Sequence, residues 1–128
     1  MENSYISYIN SRADLSGSDN ALLKLSPEHR KRLNDVLSEL KQLDLSSVVL
    51  YGSCARAEAR YDSDIDIALI AADFSSDIQK EIRRIRSEYS DGEGPDVDVH
   101  CISEYNYENG DSWFVQNVRK DGIVIWKR

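Results

Sequence analysis

SVVLYGSCARAEARYDSDIDIALI, residues 47–70, is the stretch that decides the fold. It opens on SVVLY (47–51), a short run rich in β-branched residues that stops at Gly52 and reads as a buried strand. It closes on DIDIALI (64–70), which alternates into an apolar run and predicts a second strand. Successive strand side chains point to opposite faces, so Asp64 and Asp66 project together while Ile65 and Ile67 turn the other way. Between the strands, residues 53–60 predict a short helix and 61–63 a turn.

The flanking sequence alternates helices and strands in the same manner. Ser26-Pro27 is a helix start, with serine as cap and proline in the first turn. Leu33, Val36, Leu37, Leu40 and Leu43 follow at helical spacing, predicting a helix over 27–43. Ile78, Ile82, Ile85 and Tyr89 mark a second amphipathic helix, with KEIRRIRSE as its solvated side. DGEGP (91–95) is a loop by composition. DVDVHCI (96–102) alternates as a half-buried strand should, with Asp96 and Asp98 on one face and Val97, Val99 and Cys101 on the apolar one. A helix over 111–120 carries Trp113, Phe114 and Val118, and GIVIW (122–126) closes with a strand. Trp113 and Trp126 both read as core. In residues 1–25, Tyr5, Ile6, Ile9 and Leu15 can line a short helix, and LSGSDN (15–20) is a loop. The class is α/β or α+β with about four strands, in a single domain spanning 1–128 whose core is 47–128.

Composition bounds the function. The 128 residues carry a hydrophobic fraction of 41% and a charged fraction of 30%, as soluble globular proteins do. A formal net charge of −7 argues against general nucleic-acid binding, because no excess of lysine and arginine is available to neutralise phosphates. Two cysteines, Cys54 and Cys101, make no disulfide framework. The N-terminus lacks a basic segment followed by an apolar run, and no stretch has the apolar length of a membrane span. These features together predict a cytoplasmic protein.

The chemistry gathers around the opening stretch. If the strands at 64–70 and 96–102 are neighbours, three or four carboxylates crowd one spot. Like charges about 4 Å apart repel by about 4 kcal/mol at an effective dielectric of 20, so a proton or a hard cation is needed for relief. Mg²⁺ takes a few carboxylate oxygens and completes its octahedron with waters and phosphates. Gly52-Ser53 supplies the other half, a backbone that can come close to a phosphate at a helix N-terminus. A phosphate notch beside such a cluster suggests metal-assisted phosphoryl or nucleotidyl transfer.

Gly52, Ser53, Asp64 and Asp66, spaced as GS, ten residues, then DID, resemble the signature of the DNA polymerase β-like nucleotidyltransferases. The wider string GSCARAEARYDSDIDIAL is similar to the minimal nucleotidyltransferase (MNT) branch, whose usual form is close to GSRARGxARxxSDIDL. The resemblance runs from about Val48 to the C-terminal GIVIWKR. It implies a mixed sheet flanked by helices, with a third carboxylate from a later strand. Asp98 best matches that position and Asp96 is the second choice. Carried over, the resemblance implies that Gly52 and Ser53 hold the triphosphate, with Arg56 and Arg60 contacting phosphate. It implies that Asp64, Asp66 and Asp98 bind Mg²⁺, two ions, and that Asp98 accepts the proton of the attacking hydroxyl. Cys54 stands where the family often has arginine, and Ala57 where it usually has glycine. Small MNT proteins often pair with HEPN ribonuclease toxins, and some transfer AMP from ATP to the toxin. That role is implied here, in a hetero-oligomer or with a homodimer. The alternatives are an antitoxin acting purely as a binding module and a nucleotidyltransferase for a small molecule of the aminoglycoside type.

Other readings of these residues are weaker. Asp62, Asp64 and Asp66 imitate the start of a calcium loop, but its sixth and twelfth positions hold Ile67 and Asp73 instead of glycine and glutamate. Cys54 at a helix start could be a nucleophile, yet with no histidine signal nearby it reads as a small buried residue. His100 shares the face of Asp98 and reads as a polar partner.

Overall fold

A computed structural model describes residues 21–128. The helix and loop expected within 1–20 lie outside the described residues. Among those described, the order is α1 (Pro27–Leu40), β1 (Ser47–Tyr51), a 3₁₀ turn (Gly52–Cys54), β2 (Ile65–Ala71), α2 (Ser76–Glu88), β3 (Val97–Ser103), α3 (Glu104–Asn109), α4 (Trp113–Asp121) and β4 (Ile123–Lys127). The four strands form one mixed sheet in the order β3-β2-β1-β4. β1 is antiparallel to β2 and β4, whereas β2 and β3 are parallel and joined through α2. This is an α+β fold with the four strands the sequence predicts and the mixed sheet flanked by helices that the resemblance implies.

Each of these four α-helices is capped by a serine. Ser26, Ser75, Ser103 and Ser112 accept, through their side chains, the backbone N–H of the third residue onward. Such a cap satisfies one of the N–H groups that a helix start leaves unpaired, and its loss typically costs about 1 kcal/mol.

The sheet buries both faces. One face carries Val48, Leu50, Ile65, Ile67, Val97 and Val99 against Leu33, Leu37 and Leu40 of α1 and Ile82 and Ile85 of α2. The other face, smaller, sets Val49, Ala68, Ile70 and Ile102 against Val115 and Val118 of α4. Its polar end carries the candidate site.

Several elements differ from expectation. α1 stops at Leu40, not at residue 43, because Gln42 and Leu43 donate to carbonyls three residues back and turn the chain toward Leu45, which is buried. The helix expected over 53–60 is only the 3₁₀ turn at 52–54, since Ala57 takes a left-handed φ of 61° that no α-helix accommodates. α3 was not expected. Its signal is Ser103 followed by Glu104 and Asn106, a serine cap on a six-residue helix. Trp113 is 82% exposed while Trp126 is 9% exposed, so only the second belongs to the core. α4 spends its inward stripe on Val115 and Val118, which leaves the tryptophan outside. Cys101 is also exposed, lying toward the far end of the edge strand β3.

Candidate active site

The site forms where β1 ends and β2 and β3 begin. Tyr51 pairs with Asp66 across β1 and β2, and Asp66 pairs with Asp98 across β2 and β3. Side chains in register on neighbouring strands project from the same face about 4.8 Å apart, so the two carboxylates stand side by side. Asp64 lies one residue ahead of β2, not inside it as expected. Its charge still reaches Asp66. The Asp66 carboxyl is held above its ordinary value of 3.8, first by burial and then by the charges of Asp98 and Asp64. Attraction from His100 and Arg56 opposes that rise without cancelling it.

Gly52 brings the backbone against this cluster. Its φ is +75°, and a Cβ there would overlap the Asp66 carboxylate, with the Asp66 Cγ at 3.2 Å. Glycine is required twice over, by backbone conformation and by space. Just beyond, the Cys54 thiol donates to the carbonyl of Asp64 at 3.5 Å, tying the 3₁₀ turn to the start of β2. Burial, then Asp66 and Asp64, push this thiol up to about 11, so Cys54 is a buried thiol and no nucleophile.

A second anchor comes from α1. His29 is almost wholly buried, and its Nε2–H donates to the Ser63 carbonyl at 2.8 Å, one residue before Asp64. On its other side the ring meets the Ser26 hydroxyl, with Nδ1 at 2.7 Å from the Ser26 Oγ. Periodicity missed His29, because a helix-face histidine carries no mark of its distant partner.

His100 lies on the face of Asp98, and the sequence expectation of a polar partner matches the 3.1 Å contact from His100 Nε2 to Asp98 Oδ2. His100 also meets the Phe114 ring at 5.1 Å between centroids, and Phe114 meets Tyr51 edge-on at 5.6 Å. Burial and the charges of Asp66 and Asp98 push the Tyr51 hydroxyl strongly upward. Arg56 lies beside the glycine turn, bonded to Glu58 at 2.8 Å and within 3.6 Å of Asp121 at the end of α4. Arg60 is exposed in the turn ahead of Asp64, where its backbone N–H donates to Ser63 Oγ. Asp96 precedes β3 on the exposed side.

Two grooves flank the carboxylates. One, of about 390 Å³, is lined by Tyr51, Gly52, Arg56, Trp113, Phe114 and others from α4. The other, of about 660 Å³, is lined by Tyr61, Asp62, Asp64, Asp96 and residues from the start of α1 and the 92–95 loop. The oxygens available are of the hard type that suits Mg²⁺ or Ca²⁺. Among the described residues, no three histidine, cysteine, aspartate or glutamate side chains are gathered closely enough to enclose an ion as they stand.

Residues 31–128 match the model of the family described as Polymerase beta, Nucleotidyltransferase. The chain belongs to the polymerase beta-type nucleotidyltransferases. The matched segment runs from within α1 to the C-terminus and contains the glycine turn and all the aspartates named above. This nucleotidyltransferase domain is similar in fold to a chain from a crystal structure of a toxin–antitoxin with AMP-PNP. There the TM-score is 0.51 and the identity 23%, over 80% of this chain and 75% of that one. A crystal structure from Sulfolobus solfataricus, assigned as a nucleotidyltransferase, aligns over 92% of this chain and 94% of its own, with a TM-score of 0.48 and 19% identity. No curated protein matches the chain. Among the described residues, no helix is long and apolar enough to cross a membrane.

Proposed function

We propose that this nucleotidyltransferase domain transfers AMP from ATP, with Mg²⁺, to a hydroxyl on a partner protein. The partner in this reading is the HEPN-type ribonuclease toxin of a toxin–antitoxin pair. One observation carries the catalytic part: Asp66 stands opposite Asp98 on parallel strands, directly against a glycine that has no room for a side chain. The partner part is supported by the resemblance to minimal nucleotidyltransferases and by a net charge of −7, which suits a basic protein surface.

Asp64, Asp66 and Asp98 would hold two Mg²⁺ ions, which neutralise triphosphate charge and steady both the attacking and leaving oxygens. Gly52 and Ser53 offer close backbone approach to the β- and γ-phosphates. Arg56 turns from Glu58 toward phosphate, and Arg60 assists from the turn. The acceptor hydroxyl gives its proton to Asp98, whose carboxylate His100 orients from 3.1 Å. The acceptor oxygen bonds to the α-phosphorus as the bond to the bridging oxygen breaks, and pyrophosphate leaves.

The test mixes the full chain with a HEPN-type ribonuclease toxin, ATP labelled at the α-phosphate, and Mg²⁺. Label is expected on the partner, and Asp64→Asn/Asp66→Asn is expected to abolish it. Wild-type labelling by that double variant would refute the catalytic assignment. Tight binding of the partner without any labelling would make the chain a binding module.

A further inference from the structure

The narrower groove has an aromatic end and a charged end. Trp113 and Phe114 stand at the start of α4, with Asn117 one turn further on and Asp121 at its finish, all facing the same channel. At the charged end lie Gly52 and Arg56, beside the Asp66 carboxylate. Trp113 is 82% exposed and packs into no core, an expensive way to display the largest apolar side chain. Its neighbour Phe114 is also exposed and continues through Tyr51 and His100 to the carboxylates.

We infer that this groove is the nucleoside subsite, and that it selects a purine nucleoside triphosphate by stacking the base against Trp113 and Phe114. The inference rests on the nucleotidyl-transfer reading above. The occupant follows from the gradient along the groove. A nucleoside triphosphate is flat and apolar at one end and anionic at the other. The groove has rings at one end and, at the other, Arg56, held by Glu58 and Asp121, beside the carboxylates that would take Mg²⁺ together with the phosphates. Its volume of about 390 Å³ lies within the range of pockets that take small organic ligands. Purines have the larger stacking face, and Asn117 can both donate and accept at the base edge.

Titration calorimetry with Mg²⁺ should compare ATP, CTP and inorganic tripolyphosphate on the wild type, Trp113→Ala and Trp113→Phe. The purine should bind more tightly than CTP or tripolyphosphate. Trp113→Ala should weaken ATP about five- to a hundredfold, the range of one lost base–aromatic stack, and leave tripolyphosphate unchanged. Trp113→Phe should retain most of the affinity. Because Trp126 is buried, ATP should quench the fluorescence of the exposed tryptophan, and tripolyphosphate should not. The exposure of Trp113 means that its removal leaves the fold intact, which circular dichroism checks. If ATP and tripolyphosphate bind equally and Trp113→Ala changes neither, the base subsite is refuted while the transfer reading stands. If the wild type binds neither, both are refuted.

Discussion

Replacing Gly52 with alanine tests the geometry at the centre of the site. Two penalties are built into the position. The first is backbone: at φ +75° an alanine pays about 1–2 kcal/mol for its Cβ. For a chain of this size that lowers the melting temperature by about 3–10 °C. The second is local, because the new Cβ would overlap the Asp66 carboxylate and the side chain must rotate away. Displacing a metal-binding group costs at least what losing an outer-shell partner does, about 10–100-fold in affinity. The assay pairs a thermal melt with calorimetry of Mg²⁺–ATP. Gly92→Ala is the control: its φ is +80°, but nothing lies within 4 Å of the added Cβ. Gly52→Ala should lose at least as much stability as Gly92→Ala, whereas only Gly52→Ala should lose nucleotide affinity. A Gly52→Ala protein that binds Mg²⁺–ATP as tightly as wild type would refute the reasoning.

Three other perturbations have definite directions. Ala57 holds a φ of 61° that favours glycine, so Ala57→Gly should stabilise; relief of about 1–2 kcal/mol less about 0.5–1 kcal/mol for the looser unfolded chain leaves up to about 1.5 kcal/mol, read as a higher melting temperature. Asp66 has its folded-state pKa raised above 3.8, so the folded protein holds that proton more tightly than the unfolded chain. Its contribution to stability is favourable at low pH and is lost as pH rises through the raised value; Asp66→Asn should therefore melt higher than wild type at pH 7 and flatten that part of the pH profile. Cys54 is buried with its thiol pushed up to about 11 and Cys101 is exposed, so maleimide should label one thiol in the native protein and two in denaturant, with mass spectrometry placing the first at Cys101.

Much of this architecture was legible in the residue pattern because it rests on periods. The alternation in DIDIALI and DVDVHCI set Asp66 and Asp98 on single faces, and the buried leucines of α1 recur at helical spacing. Which strands are neighbours, and in which direction, is a property of long-range packing. The register that puts Asp66 opposite Asp98 is therefore visible only in three dimensions. Trp113 reads as core by residue type, but α4 is nine residues long, too short for the pattern to fix its inward stripe, and alternation puts Cys101 on the apolar face of β3, which is an edge strand that leaves it exposed. The glycine turn was misread as helix because alanines favour helix locally, while Ala57 is held at positive φ. His29 and Cys54 act through carbonyls distant in sequence, at Ser63 and Asp64, and side-chain patterns do not report backbone partners.

The most direct measurement is uptake of Mn²⁺, as a paramagnetic substitute for Mg²⁺, followed by loss of the free-ion resonance when protein and ATP are added. Wild-type protein should take up the ion and Asp66→Asn/Asp98→Asn should not. Equal uptake by that double variant would contradict the assignment of the ion to the paired aspartates beside Gly52.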